Sequence, residues 1–168
     1  MDFFKHLEES IKKKNSLLCI GIDPQGDSLK GENIYERLLE FGKKIIEQTE
    51  PYAACFKPNI ALYESFGIEG LKALKETIKI VPEGTPVILD AKRSDIGNTA
   101  RAYSESVFDY YKADAVTLNP YLGKESFLPF LDYTEKGIFA LCRTSNPGSG
   151  RIQELKVIGQ NGYSDFYI

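Results

Sequence analysis

A carboxylate, an ammonium and a second carboxylate, Asp90, Lys92 and Asp95, follow directly on the apolar run Val87-Ile88-Leu89. Side chains alternate faces along a β-strand, so Asp90 and Lys92 project to one side and Ala91 to the other. Pro86 suits a strand's first position because it cannot donate to a ladder. Asp95 and Thr99, four residues apart, would share the first face of a helix beginning near Asp95. Gly97 and Asn98 predict a tight or irregular turn there. Charged groups are rarely buried unpaired, and strand C-terminal ends are where α/β proteins carry their chemistry. The bland alternative is a solvated loop after a buried strand. His6 is the single histidine and falls among Phe3, Phe4, Leu7 and Ile11. That argues against a Ser-His-Asp triad, a Cys-His pair or a His-rich metal site. Acid–base work must fall to Lys, Asp, Glu or Tyr.

The elements that hold these residues follow from periodicity. Residues 2–14 predict an amphipathic helix, with Phe3, Phe4, Leu7 and Ile11 on its stripe and Lys12-Lys13-Lys14 at its C-terminus. Short apolar strands are expected at 17–22, 53–56, 87–90, 115–119 and 138–142. Between them, Ile34, Leu38, Phe41 and Ile45, then Ile68, Leu71, Leu74 and Ile78, repeat with helical spacing. Tyr103, Val107 and Tyr110 mark the apolar face of the next helix, and Phe127, Phe130 and Leu131 a short one. Alternating strands and helices mean βαβ units and a parallel sheet. The first three strands end at Asp23, at Lys57, and at Asp90 with Lys92. In a parallel sheet those ends open on one face, so four ionisable groups of both signs converge there.

The totals are those of a soluble globular domain: 42% hydrophobic, 27% charged and a net charge of −3 over 168 residues. Nothing is basic enough to suggest nucleic acid, and no apolar run approaches membrane-spanning length. The N-terminus does not read as a signal peptide. Cys19, Cys55 and Cys142 each lie in an apolar run and are expected to be buried free thiols in a reducing, cytoplasmic compartment.

Asp90-x-Lys92-x-x-Asp95-Ile96-Gly97-x-Thr99, preceded by Gly21-Ile22-Asp23-Pro24 and Phe56-Lys57-Pro58-Asn59, resembles the orotidine 5′-phosphate decarboxylase family. The loop Thr144-Ser145-Asn146-Pro147-Gly148-Ser149 resembles the branch found in many bacteria and some parasites. The resemblance implies a dimeric (β/α)₈ barrel that converts orotidine monophosphate to uridine monophosphate and CO₂, the last step of de novo pyrimidine synthesis, without metal or organic cofactor. It implies that Lys92 stabilises and protonates the C6 carbanion, and that Asp90 sits beside the substrate carboxylate. Lys57 would bridge Asp90 to the ribose hydroxyls, with Asp23 and Asn59 also facing the nucleotide. Asp95, Ile96 and Thr99 would reach into the partner subunit's site, and Ser145 would touch the pyrimidine.

Five strands are counted here, whereas the family continues through three more that carry the glutamine and arginine gripping the phosphate. The expectation is one domain over residues 1–168, the first five βα units of a barrel, poorly stable by itself. The tail Gly162–Ile168 suggests no closing strand. Two other readings are a Mg²⁺-dependent sugar-phosphate decarboxylase of the same superfamily and a catalytically silent nucleotide-binding fragment. The former would need an acidic residue where Lys57 stands. The tyrosines Tyr103, Tyr110, Tyr111 and Tyr121 read as packing or interface residues, and Arg93 and Arg101 carry no assigned role.

Overall fold

The computed structural model describes residues 2–26, 29, 32–159 and 162–165. Helix α1 (Phe3–Lys14) leads into β1 (Leu18–Ile22), α2 (Ile34–Thr49) and β2 (Ala53–Pro58). Then come α3 (Ile60–Glu64), α4 (Gly67–Lys79), β3 (Ile88–Arg93) and α5 (Gly97–Glu105). β4 (Ala115–Leu118), α6 (Leu128–Leu131), β5 (Gly137–Ala140) and α7 (Gly150–Gln153) complete the alternation, and β6 (Lys156–Gly159) and β7 (Gly162–Asp165) follow. β1 pairs in parallel with β2, and β3, β4 and β5 pair in parallel in that order. Parallel bridges Phe56↔Val87 and Asn59↔Asp90 join the two groups. The strands therefore run 1-2-3-4-5, as the sequence alternation requires.

Residues two apart along each strand divide the sheet into two faces. Leu89, Val116 and Leu118 look outward and pack with Leu74, Tyr63, Phe108 and Phe130 beneath the helices. Each such buried side chain contributes roughly 1.5–3 kcal/mol. On the other face, Cys55, Ile88 and Ala115 meet Phe3. α1 thus plugs the inner face at the N-terminal ends of the strands. Asp2 caps it by accepting from the Phe4 and Lys5 amides at 2.9 and 3.3 Å, and Ser10 ties it to the Ala54 carbonyl at 2.8 Å. Gly137 is needed here, since a Cβ would sit 2.2 Å from Phe3 Cδ1.

The structure departs from the sequence reading in three places. Phe4 is exposed, because the plug is one residue wide and Phe3 fills it. Tyr111, not Tyr110, turns inward. α5 runs into a π-helical turn, Ser106–Tyr110, in which the Tyr111 amide reaches back to Ser106 O at 3.0 Å. That turn holds one extra residue and shifts the helical phase. Cys19 and Cys142 are exposed, and only Cys55 is buried. Cys19 is the register partner of Cys55 on β1, which among the described residues pairs only with β2. The tail adds a strand, β7, antiparallel to β6, though not a closing strand, in keeping with the sequence expectation. No apolar alternation announces either stretch. This pair of strands does not join the five parallel strands; residues 160–161 and 166–168 lie outside those described.

Two outcomes follow. Phe3→Ala lowers unfolding stability by about 3 kcal/mol through the cavity it leaves, whereas Phe4→Ala changes it by less than about 0.5 kcal/mol; urea titration of both variants checks this. The facing Cys55 thiol hydrogen-bonds to Cys19 and draws its pKa down to about 7, against burial and with help from Lys57. Iodoacetamide at pH 7.5, followed by peptide mass mapping, labels Cys19 at least about tenfold faster than Cys55.

Candidate active site

The inner face changes character along its length. The residues two positions beyond the Phe3 plug are Lys57 on β2, Asp90 on β3 and Thr117 on β4, and the outer two both meet Asp90. Lys57 Nζ donates to Asp90 Oδ2 at 3.2 Å, and Lys92 Nζ donates to Asp90 Oδ1 at 2.5 Å. Thr117 Oγ1 donates to the same Oδ1 at 3.0 Å. The Asp90 side chain is 10% exposed and the Lys92 side chain 51% exposed, so the carboxylate is sunk in the sheet and the ammonium stands at its rim.

Burial pushes the Asp90 carboxyl up, but the hydrogen bonds from Lys92 and Thr117 and the charges of Lys57 and Lys92 outweigh it. The group stays below the usual carboxylate range. The cluster carries two ammoniums and one carboxylate, a net positive charge fixed at the strand ends.

β3 is distorted where it delivers Lys92. Its pairing with β4 passes from Leu89↔Val116 to Arg93↔Leu118, so four steps on β3 answer two on β4. Lys92 lies within this bulge at φ 47°, the left-handed region. Its amide and that of Ala91 find no strand carbonyl. Both donate instead to Thr117 Oγ1, each at 3.0 Å.

The other sequence-predicted residues are placed as follows. Asp23 folds back over Gly21, where a Cβ would stand 3.2 Å from Asp23 Oδ2, and Gly21 is the register partner of Lys57. Asn59 bridges to Asp90 through the backbone and caps α3 by accepting from the Ala61 amide at 3.1 Å. That leaves its NH₂ as the remaining donor. Asp95 does not start the helix and does not join the cluster: its Oδ1 accepts from the Ile96 amide at 2.8 Å, and α5 begins only at Gly97, φ 56°. Ile96 and Thr99 are exposed at the start of α5. Ser145 is exposed too, on the loop after β5. That loop is folded onto α7, with Arg143 Nη2 on Glu154 Oε1 at 2.5 Å and the Thr144 amide on Gln153 Oε1 at 2.9 Å. A cavity of about 590 Å³ opens between this loop and the segment after β4, lined by Asn119, Tyr121, Leu141, Thr144 and Gln153. Sequence reasoning missed Thr117. The signal was a polar residue in phase with Ala115 and Asn119 within an otherwise apolar strand.

The chain as a whole, rather than this cluster alone, has known relatives. Residues 16–165 match the model of the orotidine 5′-phosphate decarboxylase / HUMPS family. The chain belongs to that family. It is 44% identical over 165 residues to the orotidine 5′-phosphate decarboxylase of Dehalococcoides mccartyi, covering 97% of this chain and 60% of that protein. A solved structure from Toxoplasma gondii matches with a TM-score of 0.92 at 44% identity, over 99% of this chain and 56% of that one. The OMP decarboxylase of Leishmania donovani matches with a TM-score of 0.87 at 45% identity, over 99% and 62%. The chain therefore spans about three fifths of the length of such relatives, and its five parallel strands form part of a TIM barrel.

The depressed Asp90 pKa fixes a sign. The unfolded chain binds the Asp90 proton more tightly than the folded one, so this contribution to stability is present above the unfolded value of about 3.9 and is lost as pH falls below it. Urea midpoints at pH 7 and pH 3 should fall further for the wild type than for Asp90→Asn. Equal losses would sink the assignment.

Proposed function

We propose that this chain carries the carbanion-handling half of an orotidine 5′-phosphate decarboxylase, a carboxy-lyase acting on orotidine monophosphate. The observation that supports it best is the Lys57–Asp90–Lys92 chain at the strand ends, within a family match over 16–165. In the reaction the bond from C6 to the carboxylate breaks, CO₂ leaves, and the electron pair stays on C6. That carbon is sp² and has no π-system into which the charge spreads, so a fixed positive charge beside it is the effective catalyst. Lys92 supplies the charge and then gives C6 its proton, yielding uridine monophosphate. Asp90 holds the Lys92 ammonium in place through its hydrogen bond and stands where the substrate carboxylate would lie. Lys57 ties Asp90 to the ribose, with Asp23 and the Asn59 amide NH₂ on the same rim. The chemistry asks for no metal or organic cofactor.

Asp95, Ile96 and Thr99 are read as serving a second subunit of a homodimer, since Ile96 and Thr99 are exposed at the start of α5 and the Asp95 carboxylate accepts from the Ile96 amide rather than pairing with Lys57 or Lys92. Ser145 is read as the pyrimidine-facing residue of the loop after β5. Among the described residues no helix is long and apolar enough to cross a membrane; the cytoplasm, and the last step of uridine monophosphate synthesis, are the setting this reading proposes.

Loss of ultraviolet absorbance on adding orotidine monophosphate tests it, with Lys92→Ala as control. Turnover that falls by at least about a thousandfold in the control supports the reading. Uridine monophosphate binding without turnover in either protein replaces it with a silent nucleotide-binding fragment.

A further inference from the structure

We infer that Thr117 is a positioning residue for the decarboxylation, setting where the Lys92 ammonium stands and keeping Asp90 in place beneath it. This rests on the decarboxylase reading for its chemistry, while its geometry stands on the contacts of Thr117 itself. The bulge in β3 removes the strand partners of two consecutive amides, Ala91 and Lys92, and leaves Lys92 in the left-handed region that non-glycine residues rarely adopt. An unpaired amide beneath a charged site is costly, and two in succession would let the strand relax to ordinary pairing. Thr117 Oγ1 takes both amides at 3.0 Å and gives its own proton to Asp90 Oδ1 at 3.0 Å. A hydroxyl has two acceptor lone pairs and one donor. All three are used, so the group is saturated and its orientation is fixed.

Saturation has a chemical consequence. Oδ1 of Asp90 receives Thr117 from below and Lys92 from the rim. The hydroxyl thus holds both ends of one lever: the backbone from which the lysine side chain springs, and the carboxylate that receives its ammonium. The nearest isostere without a hydroxyl, valine, keeps the volume and loses every one of these bonds. Serine keeps them all.

Thr117→Val and Thr117→Ser test this. In Thr117→Val, kcat falls about a hundredfold while KM changes less than about threefold, because misplacing the reacting group by a fraction of an ångström spares ground-state binding. The Asp90 carboxyl, followed by carbon NMR, titrates at a higher pH than in the wild type, and the Ala91 and Lys92 amides exchange faster with deuterium. Thr117→Ser restores all three readouts. A folded Thr117→Val with Asp90 titration and kcat unchanged overturns the inference, as does a serine variant that behaves like valine. If Thr117→Val does not fold, the wild type decides: Ala91 and Lys92 amides exchanging as fast as those of Ser145 and Asn146 overturn it, and protected amides together with restoration by serine support it. If the wild-type chain does not turn over orotidine monophosphate, the decarboxylase reading fails on that count, while Asp90 titration and amide exchange still decide the role of Thr117.

Discussion

An ionised carboxylate sunk into a β-sheet is unfavourable unless something opposite in charge stays beside it, and the rest of this molecule is arranged to satisfy that condition. Asp90 is nearly buried, and burial alone would favour its neutral form. Lys57 from one side and Lys92 from the other hold it charged. The dependence is mutual. Lys92 stands half exposed at the rim, and the carboxylate below fixes the position of an ammonium that would otherwise sample many rotamers. Removing Asp90 would leave two cations facing each other across a narrow strip of sheet.

The strip exists because of the pleat. Cys55 and Lys57 on β2, Ile88 and Asp90 on β3, and Ala115 and Thr117 on β4 share the inner face at two-residue spacing, with Asn59 just past β2, Asn119 just past β4 and Lys92 on the bulged end of β3. Their first members are apolar or nearly so and close on Phe3; their later members are polar. One surface therefore grades from a sealed floor to a charged rim within three residues per strand. The floor comes from α1, which precedes the first strand and has no part in the chemistry. Its N-cap at Asp2, its tie from Ser10 to Ala54 and the missing side chain at Gly137 all serve to seat a single ring.

Much of this was legible. Apolar runs located the five parallel strands, and the charged residues ending the second and third gave Lys57, Asp90 and Lys92, which do meet; Asp23, ending the first, forms no ion pair with them among the described residues. What escaped the sequence was whatever depends on breaking a period. The π turn after α5 moves Tyr111 inward in place of Tyr110, and no composition cue marks one inserted residue. The bulge in β3 gives Lys92 a left-handed backbone, although lysine carries no preference for it. Thr117 read as a β-branched strand former, which it also is; its hydroxyl mattered only once the bulge had freed two amides. Cys19 looked buried because its run is apolar, but hydrophobic neighbours along a strand do not say which face is covered.

Arg93 shows how one strand end can face two directions. No sequence pattern assigns it a role. Its guanidinium donates to Glu64 Oε1 at 2.9 Å and lies 4.8 Å over the Tyr103 ring, tying the end of β3 to α3 and to α5 at once. On the inner side of that anchor is Lys92, committed to Asp90. Two residues beyond it is Asp95, whose carboxylate is turned onto its own chain through the Ile96 amide, and Gly97 then reverses the backbone at φ 56° into α5. Six residues therefore take the chain from a charge held inward to a helix start held outward. On the proposed dimeric reading this is an economical construction. The rigid point between Lys92 and Asp95 would keep each subunit's ammonium in register with the group that its neighbour contributes, because both hang from the same arginine.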